Sequence, residues 1–208
     1  MNTAKLLSIG LPLAVLLAGC NDRPRVTTPA SAPVTLASPA MQPASPSLYP
    51  LGLDLRDQHG TAVKLDLFRG SPVIVSMFYG TCPAACPLIV SHVKQIEASL
   101  PPEVRARTRV LLVSFDPEHD TPAALTEIAA RHRVDAGRWR FAVGHDDEVR
   151  QLANALGVTY QEFEGGFFTH NSVISVLDGE GRIVGRVDDP QADLAPLATA
   201  ITRAARGS

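Results

Sequence analysis

No cluster of lysines or arginines occurs anywhere in this 208-residue chain, and 19 Lys+Arg stand against 21 Asp+Glu for a formal charge of −2. The electrostatic footprint of a nucleic-acid partner is therefore missing. No apolar run approaches the roughly 18 to 20 residues that a helix needs to cross a bilayer. The longest, Leu6 to Ala18, contains Pro12. Internal repeats are absent too. With 45% apolar and 19% charged residues, 15 Gly and 17 Pro, the composition excludes collagen-like, coiled-coil and wholly disordered chains. What is left is one globular domain with a less ordered segment attached.

The two ends of the chain read differently. Residues 1–20 carry one basic residue, Lys5, then the short apolar run, then small residues, which is the pattern of a secretory signal. Leu17-Ala18-Gly19-Cys20 resembles a bacterial lipobox, in which cleavage leaves the cysteine first and its thiol takes up lipid. Cys20 is then a membrane anchor, and the domain stands in a disulfide-permissive compartment of the bacterial cell envelope. Residues 21–50 are rich in Pro, Ala, Ser and Thr, show no hydrophobic period and cannot bury a core, so they read as an extended, disordered tether. The folded domain is expected over 51–208.

Within it, alternating runs at Leu51–Leu55 and Ala62–Leu67 flank Gln58-His59-Gly60 and suggest an N-terminal β-hairpin. Pro72–Tyr79 and Arg109–Phe115 are near-continuous apolar runs rich in β-branched residues, as strands buried on both faces of an α/β sheet require. A helix is expected from about Cys86 to Leu100, ended by Pro101-Pro102. Another is expected from Pro122 to about Arg133, with Thr121 as N-cap and proline at the first helical position. Trp139–Val143 reads as a third strand and Asp146–Leu156 as a third helix. Ser172–Leu177 and Arg182–Val187 flank Asp178–Gly181 as a closing hairpin, followed by a helix from about Pro190 to Ala205. A βαβ opening and a ββα ending, with the extra hairpin in front, is the element order of a thioredoxin-like α/β fold.

The chemistry concentrates in Tyr79-Gly-Thr-Cys82-Pro-Ala-Ala-Cys86-Pro87, at the entrance to the first helix. Cysteines four apart on a helix share a face, at a spacing that suits either a disulfide or a metal. The unpaired N–H groups and dipole of a helix N-terminus favour the thiolate, which is the form that attacks or coordinates. A third ligand is sought among six histidines. His170 stands at the entry to the closing hairpin, where in a thioredoxin-like fold the chain passes the cysteine loop. His59, His92 and His132 read as surface or satisfied residues. His119 and His145 follow strand C-termini and are candidates for supporting roles, and Met77 reads as core. Two thiolates and one imidazole make a soft, three-coordinate set that suits Cu(I), and accepts Cu(II) with an added ligand. An open position favours handing the metal on.

These residues, with Val113-Ser-Phe-Asp116-Pro-Glu-His-Asp120-Thr-Pro122, Trp139-Arg-Phe and His170-Asn-Ser172, resemble the Sco/SenC copper proteins of cytochrome oxidase assembly, over nearly all of 51–208. The resemblance implies a thioredoxin-like fold and one copper held by Cys82, Cys86 and His170. It also implies delivery to, or thiol reduction of, the binuclear copper site on cytochrome c oxidase subunit II. Ala84 and Thr169 depart from it, each standing where the family usually has aspartate. Asp116 and Asp120 match it, and their expected work is turn and cap hydrogen bonding ahead of the second helix.

Two functions are open at this point. One is an extracytoplasmic copper metallochaperone acting on oxidase subunit II or another periplasmic copper or thiol protein. The other is a membrane-tethered thiol-disulfide oxidoreductase, with Cys82 and Cys86 as the attacking and resolving pair. His170 discriminates, because thiol exchange needs no third ligand. A peroxidase reading fails because the sequence supplies no arginine-threonine arrangement beside Cys82, and Thr81 alone is insufficient.

Overall fold

A computed structural model describes residues 45–81, 85–164, 166–189 and 191–207. The leader, Cys20 and most of the tether expected from the sequence lie outside the described residues, as do Cys82, Pro83 and Ala84.

The centre is a parallel βαβαβ unit. Strand β3 (Val73–Phe78) leads into helix α1 (Ala85–Ser99), a short helix α2 (Pro102–Arg107) and β4 (Arg109–Ser114). Helix α3 (Pro122–His132), β5 (Trp139–Val143) and helix α4 (Asp146–Leu156) follow. All six residues of β3 are buried, and they pair in parallel with β4 from Val73↔Arg109 to Phe78↔Ser114. The β-branched run thus does what a strand covered on both faces demands. Thr121 caps α3, its side chain accepting from the Ala124 N–H at 3.3 Å, with Pro122 in the first turn. Pro101-Pro102 ends α1 but also opens α2, since a proline at the first helical position gives up no hydrogen bond. That helix was not anticipated.

Strand β8 (Ile174–Leu177) pairs antiparallel with β3, and β9 (Ile183–Val187) with β8. Helix α5 (Ala195–Arg206) closes the chain, starting later than expected. On the other edge, β1 (Leu55–Asp57) pairs antiparallel with β2 (Ala62–Val63) and with β5. The flanking runs are shorter than their alternation suggested. Leu51 and Leu65–Phe68 belong to 3-10 turns, which send Leu65 and Phe68 into the core. Gln58 extends the pairing with its side chain, Nε2–H donating to Trp139 O at 3.1 Å and Oε1 accepting from Phe141 N–H at 3.0 Å.

The full order is β2-β1-β5-β4-β3-β8-β9. Two apolar layers lie on its faces. Ile74, Phe78, Leu112 and Phe141 pack with α1, α3 and α5, whereas Val75, Met77, Leu111 and Val113 pack with α4 and the N-terminal turns. Met77 is core, as its place in a strand implied.

One element was missed. Between α4 and β8 a separate two-stranded ribbon forms from β6 (Tyr160–Phe163) and β7 (Phe167–His170), paired from Tyr160↔His170 to Phe163↔Phe167. This corrects the expected position of His170. It ends β7, four residues before β8 begins, and does not open the closing hairpin. The physical reason is that Tyr160 and Phe168 bury one face of an independent ribbon against Phe115.

Candidate functional site

The C-terminal ends of parallel strands are where α/β folds assemble sites, because helices and loops diverge there and leave a crevice. Here β3 runs out through Tyr79, Gly80 and Thr81 toward Cys82, and α1 carries Cys86 in its first turn. The main chain of this exit is anchored. Phe115 N–H donates to Phe78 O at 2.8 Å, and Gly80 N–H donates to Asp120 Oδ2 at 2.7 Å. The same oxygen accepts from Ser114 Oγ–H at 2.5 Å. Asp120 is 2% exposed. Burial holds its carboxyl above the ordinary range, partly offset by those two donors. A Cβ on Gly80 would sit 2.2 Å from Asp120 Oδ1, so only glycine permits this approach. Asp120 therefore ties the segment before Cys82 to the start of α3, a structural task reaching well beyond the local cap expected of it.

Asp116 is also buried, and its Oδ1 takes a hydrogen bond from His119 Nδ1 at 2.8 Å. That bond, and the charge behind it, raise the pKa of the otherwise exposed His119.

His170 is half-buried at the end of β7. Tyr79 meets its ring edge-on at 5.7 Å between centroids, and Phe115 lies at 5.0 Å. Phe168 packs on both of those aromatic rings, at 5.0 and 5.2 Å. The imidazole thus sits beside the residues that lead into Cys82, among aromatic rings that limit its motion. Its Nδ1 lies 3.0 Å from Asn171 O. A carbonyl only accepts, so Nδ1 is the donor here, and a ring with one proton then leaves the Nε2 lone pair free. A cleft of about 360 Å³ opens beside it, lined by Thr159, Tyr160, Gln161, Thr169 and His170. A larger groove of about 640 Å³, including His92, Gln95 and Asp193, holds none of the candidate ligands.

The other histidines are dispersed. His59 is exposed in the β1–β2 turn, His92 lies along α1 and His132 ends α3. His145 precedes α4, its N–H donating to Glu148 Oε2 at 2.9 Å. Among the described residues no three His, Cys, Asp or Glu side chains converge as a metal cluster. The expected thiols are Cys82, outside the described residues, and Cys86, whose helix position is defined. Ser114, the aromatic surround of His170 and the grip of Asn171 on the α4 end were not foreseen. The last two depend on contacts between distant segments, whereas Ser114 reaches Asp120 within one loop, six residues on.

A parallel centre, an antiparallel β8–β9 edge and helices on both faces define a thioredoxin-like fold. The family model for SCO1/SenC matches residues 51–206, and the chain belongs to that family. A curated relative from Stutzerimonas stutzeri, named as a copper-binding protein, is 26% identical over 142 residues, 66% of this chain and 68% of its own. Among solved structures, a protein of Aquifex aeolicus superposes with a TM-score of 0.68 at 24% identity, covering 78% of this chain and 94% of that one. Bradyrhizobium japonicum ScoI, solved with copper bound, gives 0.61 at 21% identity, covering 73% and 96%. At these identities the two structures speak to the fold.

Proposed function

We propose that this protein is a copper metallochaperone in which Cys82, Cys86 and His170 hold one Cu(I) and pass it by ligand exchange to a protein acceptor. The observation that carries this reading is His170. A thiol-exchange protein has no use for an imidazole held beside the β3 exit with Nε2 unprotonated, whereas a soft metal does. The copper-binding relative and the copper-loaded Bradyrhizobium protein support it.

The residues divide the work. Cys82 and Cys86 supply the thiolates. His170 supplies a neutral nitrogen from a separate ribbon, and Asp120 and Gly80 fix the chain entering the cysteine segment. A three-coordinate ion leaves room for an incoming thiolate, so the cargo moves without being released to water. The acceptor in this proposal is the binuclear copper site of cytochrome c oxidase subunit II. The proposed setting is the bacterial envelope, with residues 1–20 as leader, Cys20 as lipid anchor, 21–50 as tether and 51–208 as the working domain.

Anaerobic titration of the reduced protein with Cu(I) against a competing chelator tests it, beside His170→Ala. One tight equivalent, sharply weakened in the variant, is the expected result. No tight copper, with rapid exchange against a disulfide substrate, would overturn it in favour of a thiol-disulfide oxidoreductase using Cys82 and Cys86.

A further inference from the structure

Asn171 is a second point of control over His170. Its N–H donates to Thr159 O at 3.2 Å, its Oδ1 accepts from Thr159 N–H at 2.8 Å, and its Nδ2–H donates to Gly157 O at 3.1 Å. Its carbonyl is the acceptor for His170 Nδ1 at 3.0 Å. One residue therefore grips the segment leaving α4 with its side chain and the imidazole with its main chain. The match is specific to a carboxamide, because one planar group must accept from one backbone site and donate to another. An alanine does neither, and a serine hydroxyl reaches one of the two.

The consequence reaches the ligand atom. If the Asn171 carbonyl turns away, His170 Nδ1 loses its acceptor, the proton is free to move to Nε2, and the lone pair needed by a metal is occupied. The ring also loses the bond that sets its rotation. We infer that Asn171 is the positioning residue that selects the Nε2-unprotonated tautomer of His170 and aims it for copper. This rests on the copper reading above. Groups of this kind, one shell removed from the metal, are worth roughly 10- to 100-fold in affinity.

The test combines a metal-free and a metal-loaded measurement. In reduced, copper-free wild-type protein, long-range proton–nitrogen correlation spectra should show the His170 tautomer protonated at Nδ1. Asn171→Ala should show a mixture. Its Cu(I) affinity should fall about tenfold, and Asn171→Ser should recover part of both. Melting curves confirm that each variant is folded, and if Asn171→Ala is not, Asn171→Ser against wild type carries the comparison through a smaller shift of the same sign. A folded variant with the wild-type tautomer and wild-type affinity, while His170→Ala loses copper, overturns the inference. If His170→Ala binds copper like wild type, the copper reading itself fails, and the tautomer spectrum alone decides the role of Asn171.

Discussion

The β3–β4 centre, a parallel ladder, and the β6–β7 ribbon, an antiparallel one, form under opposite conditions of burial. Six consecutive pairs join β3 to β4, every residue of β3 is buried, and helices cover both faces. The ribbon has four pairs and belongs to no larger sheet, and its β7 residues alternate between exposed and half-buried. Its outer face presents Phe163 and Phe167, 50% and 63% exposed, while its inner face rests Tyr160, Phe168 and His170 on Tyr79 and Phe115. The difference sets a heavily packed half of the proposed site against a lightly packed one. The centre cannot shift without disturbing dozens of packed atoms, whereas the ribbon is held by a few rings and by Asn171. The proposed site therefore joins a rigid half, reached through Gly80 and Asp120, to a half with few restraints.

The largest effect that sharpens this contrast comes from paired truncations. Phe141 is fully buried between Trp139 and Phe78, and Phe141→Ala should cost about 3–5 kcal/mol in denaturant unfolding. Phe167→Ala on the ribbon should cost less than about 0.5 kcal/mol. Equal losses would break the comparison.

Asp120 comes next, since it belongs to the rigid half yet touches the site. Asp120→Ala leaves the Gly80 N–H and Ser114 hydroxyl without their buried acceptor, at a cost of about 1–3 kcal/mol. The pH dependence has a definite sign. Burial raises the folded-state pKa above the ordinary 3.8, so the native state binds the proton more tightly than the unfolded chain does. The associated stability is fully present below 3.8 and is lost as pH rises through the raised value. Urea midpoints measured across this range should fall with pH in wild type more steeply than in Asp120→Asn. A steeper fall in the variant would contradict this assignment. A smaller cost, about 1 kcal/mol, is expected from Thr121→Ala, which removes only the α3 cap.

The same contrast explains what could be read in the sequence. Val73–Phe78 announces itself because a strand buried on both faces must be apolar throughout, and α3 because Thr121-Pro122 carries its start in two adjacent residues. The ribbon is harder, since Tyr160–Phe163 and Phe167–His170 are four residues each and only half-covered. The Gly165-Gly166 pair between them was the available turn signal. His170 lies beside Tyr79 at the β3 exit, but at the end of β7 and not at the entry to the closing hairpin where the element order put it. The Gly80–Asp120 bond spans forty residues, and Asn171 reaches back to Gly157, so no local pattern encodes either. Ala84 lies outside the described residues. Thr169 is exposed on the outer face of the ribbon, opposite Gln161, so its replacement of a family carboxylate changes that surface without touching the inner face that carries His170.

The smallest predicted effect compares two histidines that make the same kind of bond to different partners. His119 Nδ1 donates to the Asp116 carboxylate, and His170 Nδ1 donates to the neutral carbonyl of Asn171. A carboxylate stabilises the imidazolium by hydrogen bond and by charge, so it favours a second proton on the ring, whereas a carbonyl sets which nitrogen holds the first. The raised pKa of His119 makes its contribution to stability present below the ordinary 6.5 and lost as pH rises through the folded value. In Asp116→Asn the bond becomes neutral at both ends, and the His119 midpoint should move down toward 6.5 in a proton NMR titration. The His170 tautomer should be unaffected, because its acceptor belongs to Asn171. An unchanged His119 midpoint would show that the carboxylate is not its governing partner, and a disturbed His170 tautomer would show that the rigid half and the ribbon are coupled through Phe115.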